Sequence, residues 1–231
     1  MHLYIDGCSY SSYFWPTWAD LICESNPHSY NIAQSGAGNE RLFFNLMHNL
    51  PKMIPGTTKV VIQWSSYPRF DHWYPRTSLK WATFGNRYYH GSFVNDNKEW
   101  WNDHYCKFKS YHYVKAAETI LKQHNIDFFF MSMDDWTEYQ DKVAVSEGLN
   151  WHALAEHPKM ILHNMNEFIR KDQKYSYASE WSNNKPGEDG HPTMESHIWI
   201  AKHINKYLRM QIDEGIEAEY RSLHSTVKKC E

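Results

Sequence analysis

A serine attacks an acyl carbonyl only when a base takes its proton and the backbone holds it where a substrate can reach. Near its start the chain reads Ile5-Asp6-Gly7-Cys8-Ser9-Tyr10-Ser11, an apolar run ending in a glycine that permits a sharp turn. Ser9 is the candidate nucleophile. Far along the chain, Gly187-Glu188-Asp189-Gly190-His191-Pro192-Thr193 stands directly before an amphipathic run. A histidine beside a carboxylate is the base and orienter that such a serine needs. His191 is the candidate base. Asp189 is favoured as the orienting acid, with Glu188 one position earlier as the contender.

Other chemistries fit less well. His191 and His197 invite a metal reading, but a metal needs a third and usually a fourth ligand, and the remaining histidines are dispersed. No metal and no cofactor are expected, and a hydrogen bond at a helix N-terminus is the better role for His197. Gly36-Ala37-Gly38 resembles part of a phosphate loop. Arg41 occupies the place of that pattern's third glycine, and no acidic residue marks the end of a following strand. The pairs Asp134-Asp135 and Asp71-His72 read as a loop start and a surface pair. Cys8, Cys23, Cys106 and Cys230 contain no C-x-x-C pair, so they read as reduced, mostly structural thiols.

The elements that must position these residues alternate between strand and helix. Leu3 to Ile5 reads as a strand, followed by a tight turn and a helix carrying Trp18, Leu21 and Ile22, whose N-terminal amides would face a developing oxyanion. Tyr30 to Ala33 leads through a glycine-rich loop into an amphipathic helix with Leu42, Phe43, Leu46 and Leu50. Lys59 to Trp64 is β-branched and almost wholly apolar, as a buried parallel strand should be. A helix from about Ser110 to His124, a strand from Ile126 to Met131, and a helix from about Met194 to Leu208 complete the pattern. This alternation predicts a three-layer α/β/α domain with a flavodoxin-like parallel sheet. Residues 1–210 read as one domain, and residues 211–231 as a charged helical tail packed on the body or on a second copy of the chain.

Between about 67 and 108 the periodicity fails and aromatic residues accumulate. A segment of this length without regular periodicity is expected to be functional or disordered, and the aromatics disfavour disorder. It reads as an insertion covering the site, with Trp64, Tyr67, Arg69 and Trp73 as substrate-binding candidates. Aromatic residues make up 16% of the chain, against 22% charged, and the net charge is -3. That balance argues against binding driven by phosphate neutralisation, hence against nucleic acid as partner. No apolar run reaches membrane-spanning length, and no basic segment followed by an apolar core opens the chain. A cytoplasmic location is expected or, for a viral protein, the host cytoplasm or the virion.

These blocks resemble those of the SGNH/GDSL-type serine hydrolases. The segment around Ser9 resembles the first block, with Cys8 where an acidic residue is usual. Asn31 to Gly38 resembles the second block and implies that the Gly36 amide joins that of Ser9 as oxyanion donor. Lys59 to Ser66 resembles the third block up to its strand, and Asp189-Gly190-His191-Pro192 the last. The resemblance implies an acyl-enzyme on Ser9, an ester substrate of small-molecule or glycan type, and no cofactor. One donor is missing: where the family has Gly-x-Asn-Asp, this chain has Ser65-Ser66-Tyr67-Pro68-Arg69. The candidate replacement in the oxyanion hole is Ser65, Ser66 or Arg69, and Asn39 is a further candidate nearby in the second block. Within that chemistry the aromatic segment suits stacking on sugar rings, hence a carbohydrate O-acetyl ester, with a small lipid ester as competitor. The contrasting reading is an inactive binding or structural module of a phage or cell-surface assembly.

Overall fold

A computed structural model of the chain describes residues 1–13, 16–74, 80–86, 102–166 and 191–227. Among the described residues, five strands form one parallel sheet: β1 (His2–Asp6), β2 (Ser29–Asn31), β3 (Thr58–Trp64), β6 (Asp127–Ser132) and β7 (Met160–Leu162), in the order β2-β1-β3-β6-β7. A separate antiparallel pair, β4 (Arg69–Tyr74) and β5 (Lys80–Asn86), follows β3. Helices α1 (Trp18–Glu24), α2 (Asn39–Asn49), α3 (Asp103–Gln123), α4 (Lys142–Ser146), α5 (Trp151–Ala155), α6 (Met194–Leu208) and α7 (Glu214–Val227) accompany them.

The three layers follow from what each element buries. β3 is buried along nearly its whole length, as a central strand covered on both faces must be. On one face α1 packs against α6, and α7 against both; on the other, α2 packs against α3. α6 has the expected bounds and buries Ile198, Ala201, Ile204 and Leu208. α7 docks on its own chain, with Tyr220 buried and Lys202 bonded to Glu217 at 2.7 Å.

α1 carries the expected Trp18, Leu21 and Ile22 and is reached through the turn that follows β1. Three features depart from the periodicity. α3 begins at Asp103, ahead of the expected Ser110, because the Asn102 side chain caps it by accepting the Tyr105 amide at 2.8 Å. Its first turns expose Tyr105 and Phe108, which obscures the apolar stripe. The stretch without periodicity contains the β4–β5 hairpin; residues 75–79 and 87–101 of it lie outside the described residues. The short β7 has no counterpart in the pattern.

The strand order reverses between β1 and β3, whose C-terminal ends carry Ser9 and Ser65. Ligands in open parallel sheets bind at such a switch point. The β1–β3 ladder ends at Asp6 and Ile62, while β3 stays paired with β6 through Trp64, so Ser65 directly follows its strand and Ser9 lies in the turn beyond Asp6.

Candidate active site

The turn carrying Ser9 is fixed from several sides. The amides of Ser11 and Ser12 both donate to the Cys8 carbonyl, at 2.9 and 3.1 Å. From β3 below, the Gln63 Oε1 accepts from the Cys8 amide, the Cys8 Sγ and the Ser11 Oγ at 3.1 to 3.2 Å. Gln63 is completely buried, and its Nε2 donates to the Trp64 carbonyl. The Ser11 carbonyl accepts from Thr17 Oγ1 and Asn31 Nδ2, both at 2.8 Å. This ties the end of the turn to the start of α1. Gly7 is required by close approach: a Cβ there would lie 2.4 Å from Ser11 Oγ and 3.1 Å from Gln63 Cβ. Sequence reading missed Gln63, although a lone amide in an otherwise apolar strand was a visible signal.

A buried ion pair joins this turn to the second block. Arg41 Nη1 lies 3.0 Å from Asp6 Oδ1, its Nε donates to Gln34 Oε1 and its Nη2 to the Ile32 carbonyl. Asp6 also accepts from the Gly7 amide and from Asn45. Burial raises the Asp6 pKa to about 6, against the opposing pull of the Arg41 charge. Arg41, which in sequence only broke a glycine pattern, therefore clamps the loop containing Gly36 onto β1, the strand that leads into the Ser9 turn. Gly36 has φ 80°, a conformation that glycine adopts without strain.

Asp71 is not a surface residue. It is buried, and its carboxylate accepts the amides of Gly38 at 2.9 Å and Arg41 at 3.0 Å, capping α2. A Cβ on Gly38 would lie 2.8 Å from Asp71 Oδ2. The N-terminus of α2, where a phosphate loop would hold its anion, is thus filled by a carboxylate of the chain itself, which rules out that reading. The Asp71 pKa is raised by burial, opposed by the two amides. Its pairing with His72 in sequence gave no sign of this.

The expected oxyanion donors fare differently. The Asn39 carboxamide is spent on structure: Nδ2 donates to the Ser65 carbonyl and to Ser110 Oγ, and Oδ1 accepts the Ser65 amide at 2.8 Å. It clamps the second block to the third and has no hydrogen left for a substrate oxygen. Ser65 Oγ is enclosed and has no hydrogen-bond partner among the described residues. Ser9 is nearly buried, at 3% exposure.

His191 comes to the nucleophile turn through aromatic packing. Tyr13 stacks on its ring at 3.8 Å between centroids, and Tyr10 meets it edge-on at 5.8 Å. Behind it, His197 is buried and its Nδ1 accepts the Trp18 amide at 3.3 Å, the expected bond at a helix start. Burial, then the nearby His191, lower the His197 pKa to about 3. Asp189 and Glu188 lie outside the described residues.

Of the substrate-binding candidates, Trp64 is corrected: its ring is fully buried against Phe130, 5.4 Å away, and has no open face. Tyr67 lines a cavity beside the turn and meets Tyr139 edge-on at 4.8 Å. The Arg69 amide closes a turn on the Ser66 carbonyl. Trp73 pairs with Trp81 in the hairpin, its side chain outside the described part. Among the described residues no three histidine, cysteine or acidic side chains are grouped to hold a metal, and no helix is long and apolar enough to cross a membrane.

No protein-family model and no curated protein matches the sequence. Solved structures do match. A catalytic mutant of an acetylxylan esterase from Geobacillus stearothermophilus superposes with a TM-score of 0.54 at 11% identity, over 91% of this chain and 94% of that one. A GDSL-like lipase from Bacteroides thetaiotaomicron gives 0.50 at 15% identity, over 90% and 87%. A psychrotrophic esterase from Pseudoalteromonas gives 0.50 at 14% identity, over 90% and 98%.

Proposed function

We propose that the chain, which has the SGNH/GDSL hydrolase fold, a parallel sheet flanked by helices shared with these esterases and this lipase, is a serine ester hydrolase acting through an acyl-enzyme on Ser9. The observation that carries the reading is the seating of His191 between Tyr13 and Tyr10, two residues of the segment that holds Ser9. The names of the fold's neighbours, esterases and a lipase, support ester chemistry.

In this mechanism His191 takes the Ser9 proton as Oγ attacks the ester carbonyl. The amides of Ser9 and Gly36 receive the developing oxyanion. His191 then protonates the departing alkoxide, leaving the acyl group on Ser9. Water, deprotonated by His191, attacks the acyl-enzyme; the carboxylic acid leaves and Ser9 regains its proton. Asp189, with Glu188 as contender, fixes the imidazole tautomer. The ester is a small or glycan-borne acyl group, with a carbohydrate O-acetyl ester as the favoured case.

One observation favours a binding module instead: the Asn39 carboxamide is wholly committed to Ser65 and Ser110. A serine-directed fluorophosphonate probe separates the two. Labelling of the wild type that disappears in Ser9→Ala is the expected result. Equal labelling of both proteins, or of neither, would overturn the hydrolase reading.

A further inference from the structure

We propose that the cavity beside the nucleophile turn is the binding subsite for an uncharged sugar, so that the ester cleaved at Ser9 is one carried by a neutral glycan. The choice of substrate rests on the Ser9 reading; the sugar site itself rests on the cavity. It measures about 610 Å³, within the range of small-molecule sites. It lies between the 3-10 turn Trp136–Tyr139 that follows β6, the segment after β7, and Tyr67.

Its lining is built for hydroxyl groups. Asp134 accepts from Tyr139 Oη at 2.5 Å and from Asn166 Nδ2 at 3.1 Å. Asp135 accepts from the Thr137 amide and hydroxyl and from Asn164 Nδ2 at 3.3 Å. These bonds fix both carboxylates, yet a carboxylate has roughly four lone-pair sites, so acceptor capacity remains for sugar hydroxyls. Tyr67 and Tyr139, packed edge-on with the Lys107 ammonium over both rings, line one side of the cavity.

Charge and polarity narrow the ligand further. Among the described residues of the lining, Asp134, Asp135 and Glu138 face one cation, Lys107, which is itself paired with Asp141 at 3.0 Å. Uronates and phosphorylated groups are repelled. A fatty acyl chain, which gains about 25 cal/mol per Å² only by burial against apolar surface, finds no aliphatic side chain among the described residues of the lining.

The cavity also connects to the reacting residues. Tyr10, next to Ser9 in sequence, donates from its hydroxyl to Asn166 Oδ1 at 2.7 Å, and Asn166 in turn donates to Asp134. The same Tyr10 ring borders His191. Two side chains, Asn166 and Tyr10, thus link a sugar held on Asp134 to the proposed base.

The test is calorimetric titration of Ser9→Ala protein with xylotetraose and maltotetraose as neutral probes, tetragalacturonate as anion and octanoate as aliphatic chain. A neutral sugar is expected to bind, with the other two classes weaker by about tenfold or more. Asp134→Ala, added to Ser9→Ala, is expected to abolish that binding. Glu138→Gln, at a solvent-exposed position that spares the fold, is expected to narrow the gap between neutral and anionic probes. The inference is overturned by preference for octanoate or tetragalacturonate, by absence of neutral-sugar binding, or by neutral binding unaltered in both variants. Heat of binding is read without turnover, so this result stands apart from the fluorophosphonate labelling that judges Ser9.

Discussion

Tyr13 lies stacked on His191, ring planes 19° from parallel and centroids 3.8 Å apart. With Tyr10 edge-on to the same imidazole, the proposed base is held by rings that belong to the segment carrying Ser9. Ring packing of this kind fixes rotation about the side-chain bonds without occupying a ring nitrogen.

Removing the stacked ring should therefore cost rate rather than fold. Tyr13→Ala is expected to lower kcat on a short acyl ester by about ten- to a hundredfold, since small misplacements of a catalytic group cost that much. Tyr13→Phe keeps the ring and most of the rate. Steady-state kinetics on both variants check this; equal kcat in Tyr13→Ala and wild type would show that the stacking does not position His191.

Gln63 is expected to matter for both stability and rate. Gln63→Leu leaves the Cys8 amide and the Ser11 hydroxyl without the acceptor they share, and an orphaned buried donor costs about 1–3 kcal/mol. A fall of about 3 kcal/mol in unfolding free energy is predicted, together with a lower kcat because the turn under Ser9 loses its anchor. Urea denaturation and ester turnover measure the two effects. Unchanged stability would mean that the turn holds itself.

The Asp6–Arg41 pair gives a double-mutant test. Arg41→Met leaves Asp6 buried without its cation, which for a buried pair costs about 3–5 kcal/mol. Adding Asp6→Asn removes the stranded charge and should return part of that loss. A double variant as unstable as the sum of the two single ones would show that the residues do not act as a pair.

Most of this architecture was legible in the sequence because its carriers are strongly patterned. β3 showed as a β-branched apolar run, α6 as an apolar stripe, and Ser9, Gly36 and His191 as turns beside them. The clamps were not legible. Asp71 caps α2 from a different element, and no local pattern encodes a cap supplied across more than thirty residues. Arg41 and Asn39 face inward from polar positions of a helix, where sequence periodicity reads solvent. Trp64 was misjudged for the opposite reason: it ends a strand at the ligand-binding edge, but its ring turns into the core against Phe130. The first turns of α3 were hidden by exposed aromatics that broke the period.

His197 makes acid stability a readable property of the site. Its Nδ1 accepts the Trp18 amide, so the buried ring must be neutral at that nitrogen, and its pKa falls to about 3 from the ordinary 6.5. As pH drops below about 6.5 the unfolded chain takes up this proton and the folded chain does not. Stability is therefore full above that value and declines by about 1.4 kcal/mol per pH unit down towards the folded pKa. His197→Gln can keep an acceptor for Trp18 but cannot titrate. Urea midpoints compared at pH 7, 6 and 5 should show the wild type losing stability faster than the variant; parallel curves would mean that His197 is charged in the folded chain. A neutral His197 also bears on the proposed mechanism, because an imidazolium formed on His191 would then meet no like charge from His197.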